Sequence, residues 1–281
     1  MPEGPEVRII ADWLSQELEN SILLNIGYDE KSRFAKKGTP NLENLEFPLI
    51  ISKVDTRGKK LILMLTHPEL EKDPIFLISF LAMEGKWSWQ PGNHSNLWLE
   101  LKTDDPDLPG WLYFDDSRHF GLFDIIIGEK DFLERMSKIG PDLLSDNIEE
   151  SEWISVLSRP RLGNKKIALF LLEQKFFSGI GNYLRAEILY FCSLSPHRTL
   201  GSLSQDEMKL LFQKSREIIL SSYETSGASL RTFRNPHGDK GKFQVVIYNK
   251  ELDPLGNPII AEPIGTGENK RTMYWVPEIQ K

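Results

Sequence analysis

The feature that most restricts the fold is a change of hydrophobic period partway along the chain. Up to about residue 129 the apolar residues come in short runs: SILLNIGY (21–28), LIISKVDT (49–56), KLILML (60–65), IFLISFLA (75–82), NLWLELKT (96–103) and FGLFDIII (120–127). Turn-rich pieces such as THPELEKDP and KTDDPDLPG separate them. Runs this short and this regularly spaced read as strands of a sandwich or barrel. Beyond them the period is helical. In SLSQDEMKLLFQKSREIIL, Ser204 and Glu207 have the spacing of a capping box, and Met208, Leu211, Phe212 and Ile219 fall on one face. From about 243 to 281 short strand-like pieces return around DPLGNP and GTGEN. The expectation is an α+β chain: a β-rich N-terminal part, a helical part and a small terminal β unit.

Several function classes drop out. In 281 residues no apolar run approaches the roughly 18–20 that a membrane helix needs. The N-terminus has no basic segment followed by an apolar core, so no secretory signal is expected. One cysteine, Cys192, rules out an internal disulfide framework and fits a reducing compartment. The five histidines lack metal-ligand spacing, so neither a metal nor another cofactor is expected. The net charge of −7 argues against a nucleic-acid partner until its distribution is considered. Residues 1–150 carry 16 Lys and Arg against 28 Asp and Glu, whereas residues 151–281 carry 18 against 13. A mildly basic second half is compatible with local phosphate contacts.

Five stretches carry candidate chemistry. MPEGPEV opens the chain, and a helix is expected from Pro5, with Val7, Ile10, Ala11, Leu14 and Leu18 at helical spacing and Glu6 in its first turn. Pro2 and Glu3 lie upstream of that helix and are either an ordinary start or functional. FFSGIGNYLRAEILYF (176–191) places two glycines before Asn182 and an amphipathic helix, which suits either an anion site on free amides or a tight corner between two helices. DDSRHFGLF (115–123) sets Arg118 two residues from Phe120, a cation and an apolar wedge if both lie in a loop, or a solvated charge before a buried strand. DTRGKKLILML (55–65) clusters Arg57, Lys59 and Lys60 around a glycine at a strand mouth. LDPL (252–255) and VPEI (276–279) have the x-x spacing and the 20-residue separation of a zinc ribbon, with aliphatics at every ligand position.

Taken in order, MPEGPEV, RGKKL, SFLAMEGKW, DDSRHFG, QKFFSGIGNYLRAEIL, GASLRTF and ENKRTMYWVPEIQK resemble the formamidopyrimidine-DNA glycosylase/endonuclease VIII family over essentially the whole chain. Gly4 is like the endonuclease VIII branch, since the other branch usually has Leu there, and the tail is similar to the family's zinc-free members. The resemblance implies an N-terminal catalytic β-sandwich domain with an N-terminal helix (1–136), a helix–two-turns–helix DNA-binding domain (137–242) and a zincless β-hairpin ribbon (243–281). It implies a bifunctional DNA glycosylase/AP lyase that acts on damaged double-stranded DNA as a monomer, inside the cell. Pro2 would be the nucleophile once Met1 is removed, and Glu3 its acid/base partner. Lys59 would serve β-elimination and Arg271 would grip a phosphate. Asn182 and the backbone at Gly181 would hold another, Met83, Arg118 and Phe120 would fill the gap left by the damaged nucleotide, and His94 would touch DNA.

Elementary chemistry supports the choice of Pro2: an α-amino group with pKa near 8 is about 10% neutral at pH 7, against under about 0.1% for an ordinary lysine. A secondary amine condensing with the sugar carbon leaves a permanent iminium cation, an electron sink that permits strand elimination. Oxidised pyrimidines and hydantoins are the expected lesions, although GASLRTFRNPHGDKGKFQ (227–244) is partly similar to the loop that covers 8-oxoguanine in the other branch; the alternatives are a glycosylase that prefers 8-oxoguanine and formamidopyrimidines, or a lesion-binding protein that has kept the fold and lost the chemistry. Three positions depart from the family. Ser117 and His119 flank Arg118 in place of Pro and Arg, and Ala168 stands where a helix lysine is usual, leaving Lys165 or Lys166 to serve. For the tail, Leu252, Leu255, Val276 and Ile279 are expected to close the hairpin by burial, at about 1.5–3 kcal/mol each. Nicking of a damaged duplex should then survive EDTA. Elemental analysis should find no stoichiometric zinc, and near one zinc per chain would refute the zinc-free tail.

Overall fold

The computed structural model describes residues 2–32, 34, 38–68, 72–103, 105–229, 233–234, 238–267 and 270–281. They fall into two compact units: Met1–Pro2, Glu6–Lys138 and Arg231–Lys240 form one, and Glu3–Pro5, Ile139–Leu230 and Gly241–Lys281 the other.

The first unit holds all but the first two residues of helix α1 (Gly4–Leu18), which buries Val7, Ile10, Ala11, Leu14 and Leu18, the face expected from their spacing. Eight strands follow: β1 (Ile22–Tyr28), β2 (Leu49–Arg57), β3 (Lys60–Thr66), β4 (Ile75–Phe80), β5 (Lys86–Ser88), β6 (Ser95–Lys102), β7 (Trp111–Asp115) and β8 (Leu122–Ile127). They make one antiparallel sheet in the order β5-β7-β6-β1-β2-β3-β4-β8. Alternation sends Leu61, Leu63 and Leu65 of β3, and Leu97, Leu99 and Leu101 of β6, into a single core. The two edges of the sheet meet across that core. Trp87 on β5 lies with its ring 6.4 Å from that of Phe123 on β8, and its indole N–H donates to the Ser79 hydroxyl on β4 at 3.3 Å. The sheet therefore folds over on itself as a sandwich. Strands β5 and β7 do not show as apolar runs, because β5 is only three residues long and β7 follows an acidic, proline-rich turn. Helix α2 (Glu129–Met136) closes the unit, with Phe132 stacked on Phe76 at 3.8 Å.

The second unit holds α3 (Glu150–Leu157), α4 (Ile167–Phe170), α5 (Asn182–Phe191) and α6 (Gln205–Glu224), then β9 (Ile260–Ile264) and β10 (Arg271–Trp275). The capping box of α6 forms as the sequence implies: the Glu207 N–H donates to Ser204 Oγ at 3.2 Å, and the Ser204 N–H to the Glu207 carboxylate at 2.7 Å. Trp153, fully buried, is ringed by Phe170, Phe177 and Phe212. Strands β9 and β10 pair antiparallel from Ile260↔Trp275 to Ile264↔Arg271, so Arg271 begins the returning strand. In the segment 227–244, residues 230–232 and 235–237 lie outside the described residues.

One expectation about the hairpin is overturned. Leu252 and Leu255 are 56% and 76% exposed, so they cannot close it by burial. They sit outside a tight turn whose interior is filled by the carboxylate of Asp253, which is 5% exposed and accepts the N–H groups of Leu255 and Asn257 at 2.9 and 2.7 Å. The apolar seal comes instead from Val276, Met273 and Ile264, all buried in the helical core, with Ile279 half-buried beside them. On this basis Leu255→Ser should change stability by no more than about 0.5 kcal/mol. Val276→Ser should cost about 2 kcal/mol or more, through lost burial and a hydroxyl placed in the core. Urea denaturation of the two variants checks the contrast.

Candidate functional site

In the second unit the site is organised on the N-terminus of α5. Glu3, 1% exposed, accepts three backbone N–H groups there: Gly181 at 2.6 Å, Tyr183 at 2.9 Å and Leu184 at 3.3 Å. All three of these partners are donors, which suits an ionised carboxylate. The helix dipole favours an anion at this end. The cap position is Gly181, Asn182 is the first helical residue, and the capping carboxylate arrives from a residue far away in the chain. The amides expected to meet a DNA phosphate are thus engaged by Glu3.

The same stretch explains Gly4 and Gly179. The Gly4 N–H donates to the Gly179 carbonyl at 2.8 Å, and a Cβ on Gly4 would stand 2.9 Å from Gly179 Cα. Gly179 itself has φ 104°, which few side chains tolerate. The N-terminal segment lies directly on the SGIG turn, fixing Glu3 and, one peptide bond away, the buried Pro2.

Asn182 and the strand that carries Arg271 are joined by a residue that sequence reasoning passed over. Arg185 is fully buried. It donates to the Ala168 carbonyl at 3.1 Å, to Asn182 Oδ1 at 2.5 Å and to the Thr272 carbonyl at 3.3 Å, while Asn182 Nδ2 donates to the same Thr272 carbonyl at 2.8 Å. Thr272 is the neighbour of Arg271, whose own side chain is exposed. Burial lowers the Arg185 guanidinium to about 10 against the opposing pull of Glu3 and Tyr248, so it remains a cation at neutral pH. Tyr248, whose phenol burial pushes up despite a hydrogen bond with Asn182, packs edge-on to Tyr183 and Tyr274. Glu187, also buried, accepts the N–H groups of Val246, Ile247 and Tyr248 at 2.7, 3.0 and 2.8 Å. The signal was available: Arg185 and Glu187 are charges inside an otherwise apolar helix. Cys192 is excluded as a nucleophile, since burial pushes its thiol up to about 12.

In the first unit, Lys59 occupies the two-residue loop between Arg57 and Lys60, where Gly58 supplies φ 59° at the first central position. Lys59 is half-buried. Arg118 and Phe120 lie in an exposed loop, the guanidinium 5.3 Å above the ring, so both point the same way. The loop is shaped by buried Asp116, which accepts the N–H groups of Arg118 at 3.2 Å and Gly121 at 2.6 Å. Met83, 36% exposed, sits in the turn after β4. The Ser117 hydroxyl donates to the Glu84 carboxylate at 2.5 Å, tying that turn to the Arg118 loop. Both rest on Phe114: a Cβ at Gly85 or Gly121 would stand 2.8 or 2.6 Å from its ring. His94 is exposed nearby, its ring 6.3 Å from that of His119. Asn96 bonds His119 Nδ1 at 3.2 Å. Lys165 is paired with Glu173, whereas Lys166 is exposed. Among the described residues no group of three or more His, Cys, Asp or Glu side chains could hold a metal ion, and no helix is long and apolar enough to cross a membrane.

A sandwich with two linked loops on one ring, a helix capped by an N-terminal glutamate and a trailing hairpin define a class, and sequence comparison agrees. The chain belongs to the formamidopyrimidine-DNA glycosylase/endonuclease VIII family, on the endonuclease VIII-like side, and is a DNA glycosylase with AP lyase activity. The family's N-terminal domain matches residues 1–123, its H2TH domain 139–234 and its C-terminal domain 235–281. Endonuclease 8 of Escherichia coli (strain 55989) is 30% identical over 288 residues, covering 100% of both chains. The formamidopyrimidine-DNA glycosylase of Prochlorococcus marinus is 28% identical over 306 residues, again with 100% of each covered. The MutM (Fpg) protein of Thermus thermophilus superposes with a TM-score of 0.83 at 25% identity, over 99% of this chain and 98% of that one. The Lactococcus lactis Fpg in complex with DNA containing an abasic site gives 0.82 at 25% identity, with 99% of each covered.

Removing Arg185 takes the donor from the Ala168 carbonyl and from Asn182 Oδ1, and leaves the Thr272 carbonyl with Asn182 alone. Arg185→Ala should therefore lower stability by about 3–5 kcal/mol. Arg185→Lys, which keeps the charge but loses the planar fork, should fall in between. Thermal denaturation of both variants tests the order.

Proposed function

We propose that this chain excises oxidised bases, chiefly oxidised pyrimidines and hydantoins, from double-stranded DNA and then cuts the strand by β,δ-elimination. The observation that carries the reading is the anchoring of Glu3 on three amides of α5, which holds the adjoining Pro2 in one place. With Met1 removed, the neutral proline nitrogen attacks C1′, the glycosidic bond breaks, and the base leaves with the electron pair and gains a proton. The new ammonium gives its proton to Glu3, which passes it to the ring oxygen. The C1′–O4′ bond opens, and the nitrogen lone pair forms the iminium. Loss of a C2′ proton, assisted by Lys59, expels the 3′-phosphate. A second elimination expels the 5′-phosphate and leaves a one-nucleotide gap.

Arg271 and Asn182 face a phosphate beside the lesion, and His94 adds a contact. Met83, Arg118 and Phe120 enter the stack where the nucleotide has left. Support for duplex DNA as substrate comes from the relatives: the Lactococcus lactis Fpg has been seen with abasic-site DNA, with Fapy-dG DNA and with DNA carrying an oxidised pyrimidine.

Borohydride added during reaction with a thymine-glycol duplex should trap a protein–DNA adduct at Pro2. Pro2→Gly should lose most trapping and base removal. Glu3→Gln should fail on the intact lesion yet keep activity on a pre-formed abasic site. Trapping that maps to a lysine in the wild-type chain would overturn the assignment. The same assay run on thymine-glycol, hydantoin and 8-oxoguanine duplexes ranks the lesions.

A further inference from the structure

The hairpin that carries Arg271 has the spacing of a zinc ribbon, yet the four ligand positions hold Leu252, Leu255, Val276 and Ile279, none of which can bind a metal. Zinc does not fit here, and packing of the four aliphatics does not replace it, since the first two face solvent. Something else must shape the first turn of the ribbon and seat it on the helical body.

We propose that Asp253 does this, acting as a fixed anion in place of the metal and as a positioning residue for Arg271. In a zinc ribbon a deprotonated ligand and the cation together draw a tight turn around one centre. Here one buried carboxylate is the centre. It accepts the N–H groups of Leu255 at 2.9 Å and Asn257 at 2.7 Å, and the Asn257 side-chain amide at 3.0 Å. The Tyr190 hydroxyl donates to it at 3.2 Å, which joins the turn to α5. Burial opposes ionisation of Asp253, but the donors from Asn257, Leu255 and Tyr190 outweigh it and hold the carboxyl below its usual range.

The chain leaves this turn through Ile259, whose N–H donates to the Glu251 carbonyl at 2.9 Å, and enters β9, which is paired to β10 as far as Arg271. The returning end is pinned by Gln280, 1% exposed, which accepts the Val276 N–H at 2.7 Å and donates to the Leu194 carbonyl at 2.9 Å. The base of the hairpin is thus bound to the C-terminal end of α5 by Asp253 and to the turn after it by Gln280. Near the N-terminus of the same helix, Asn182 and Arg185 hold Thr272. The start of β10 is thus held by α5 itself, and its end by the turn that follows the helix.

The test rests on the proposed role of Arg271 and uses the full chain, with binding to an abasic-analogue duplex measured against salt. Arg271→Ala is the reference and should flatten the log–log slope by about one phosphate's worth. Asp253→Ala should weaken binding by about tenfold and flatten the slope by about the same amount as Arg271→Ala, in the manner of lost supporting partners around a metal site. Asp253→Asn, which keeps shape but cannot accept from every donor, should fall between wild type and Asp253→Ala, and Tyr190→Phe should show a smaller loss in the same direction. In Asp253→Ala carrying Leu252→Cys, Leu255→Cys, Val276→Cys and Ile279→Cys, added zinc should restore both affinity and slope. A merely unstable hairpin would not give a slope that tracks Arg271→Ala, nor recover on metal addition. An unchanged slope and affinity in Asp253→Ala and Asp253→Asn, with Arg271→Ala altered, would overturn the role of Asp253 alone. An unchanged Arg271→Ala would overturn the reading of Arg271 instead.

Discussion

The carboxylate of Glu3 at the start of α5 is the contact on which the rest of the site depends. A buried carboxylate needs donors, and Glu3 finds three amides at the positive end of a helix. That single arrangement satisfies two of the first N–H groups of the helix and that of its cap residue, and it offsets the desolvation of the acid. It also immobilises the first residues of the chain. Gly4 and Gly179 let the two backbones come this close. Residues near a chain terminus are ordinarily among the most mobile in a protein. Here Glu3 is held at a fixed point, and Gly4 is bonded to Gly179 beside it.

Helix α5 then distributes the constraint. Its first residues hold Glu3 and the Thr272 carbonyl, its buried Glu187 grips the amides of 246–248, and Tyr190 reaches Asp253. Most of these are side chains bonded to backbone, which fixes chain path rather than merely filling space. The helix is short, ten residues. It carries buried cation and anion because both have partners that only the folded chain supplies.

The sequence made much of this legible. Alternating apolar runs disclosed six of the eight strands, and helical spacing disclosed α1 and α6, since both signals arise from burial of one face. The capping box was readable because it is local. Arg118 and Phe120 were legible only as two alternatives, because their spacing does not tell a shared loop from the start of a buried strand. What stayed hidden is what depends on distant partners. The cap of α5 comes from residue 3, so no neighbouring residue could announce it. Leu252 and Leu255 satisfied a spacing rule but not the burial that usually goes with it, because Asp253 between them turns inward. Strands β5 and β7 are too short, or too weakly alternating, to stand out from turns. Arg185 and Glu187 were visible as misplaced charges, yet their partners lie on segments near 168, 246 and 272 that only folding brings near.

Phe114 has a consequence of a different kind. Its ring is the floor beneath both the Met83 turn and the Arg118–Phe120 loop, close enough that Gly85 and Gly121 have no room for a methyl group. Neither loop has independent footing. A larger or smaller residue at position 114 would tilt both at once, and any change at one glycine would reach the other through the ring. The two loops are thus one mechanical unit: a change at 85, 114 or 121 is felt by both, whereas a change at a loop tip is felt by one alone.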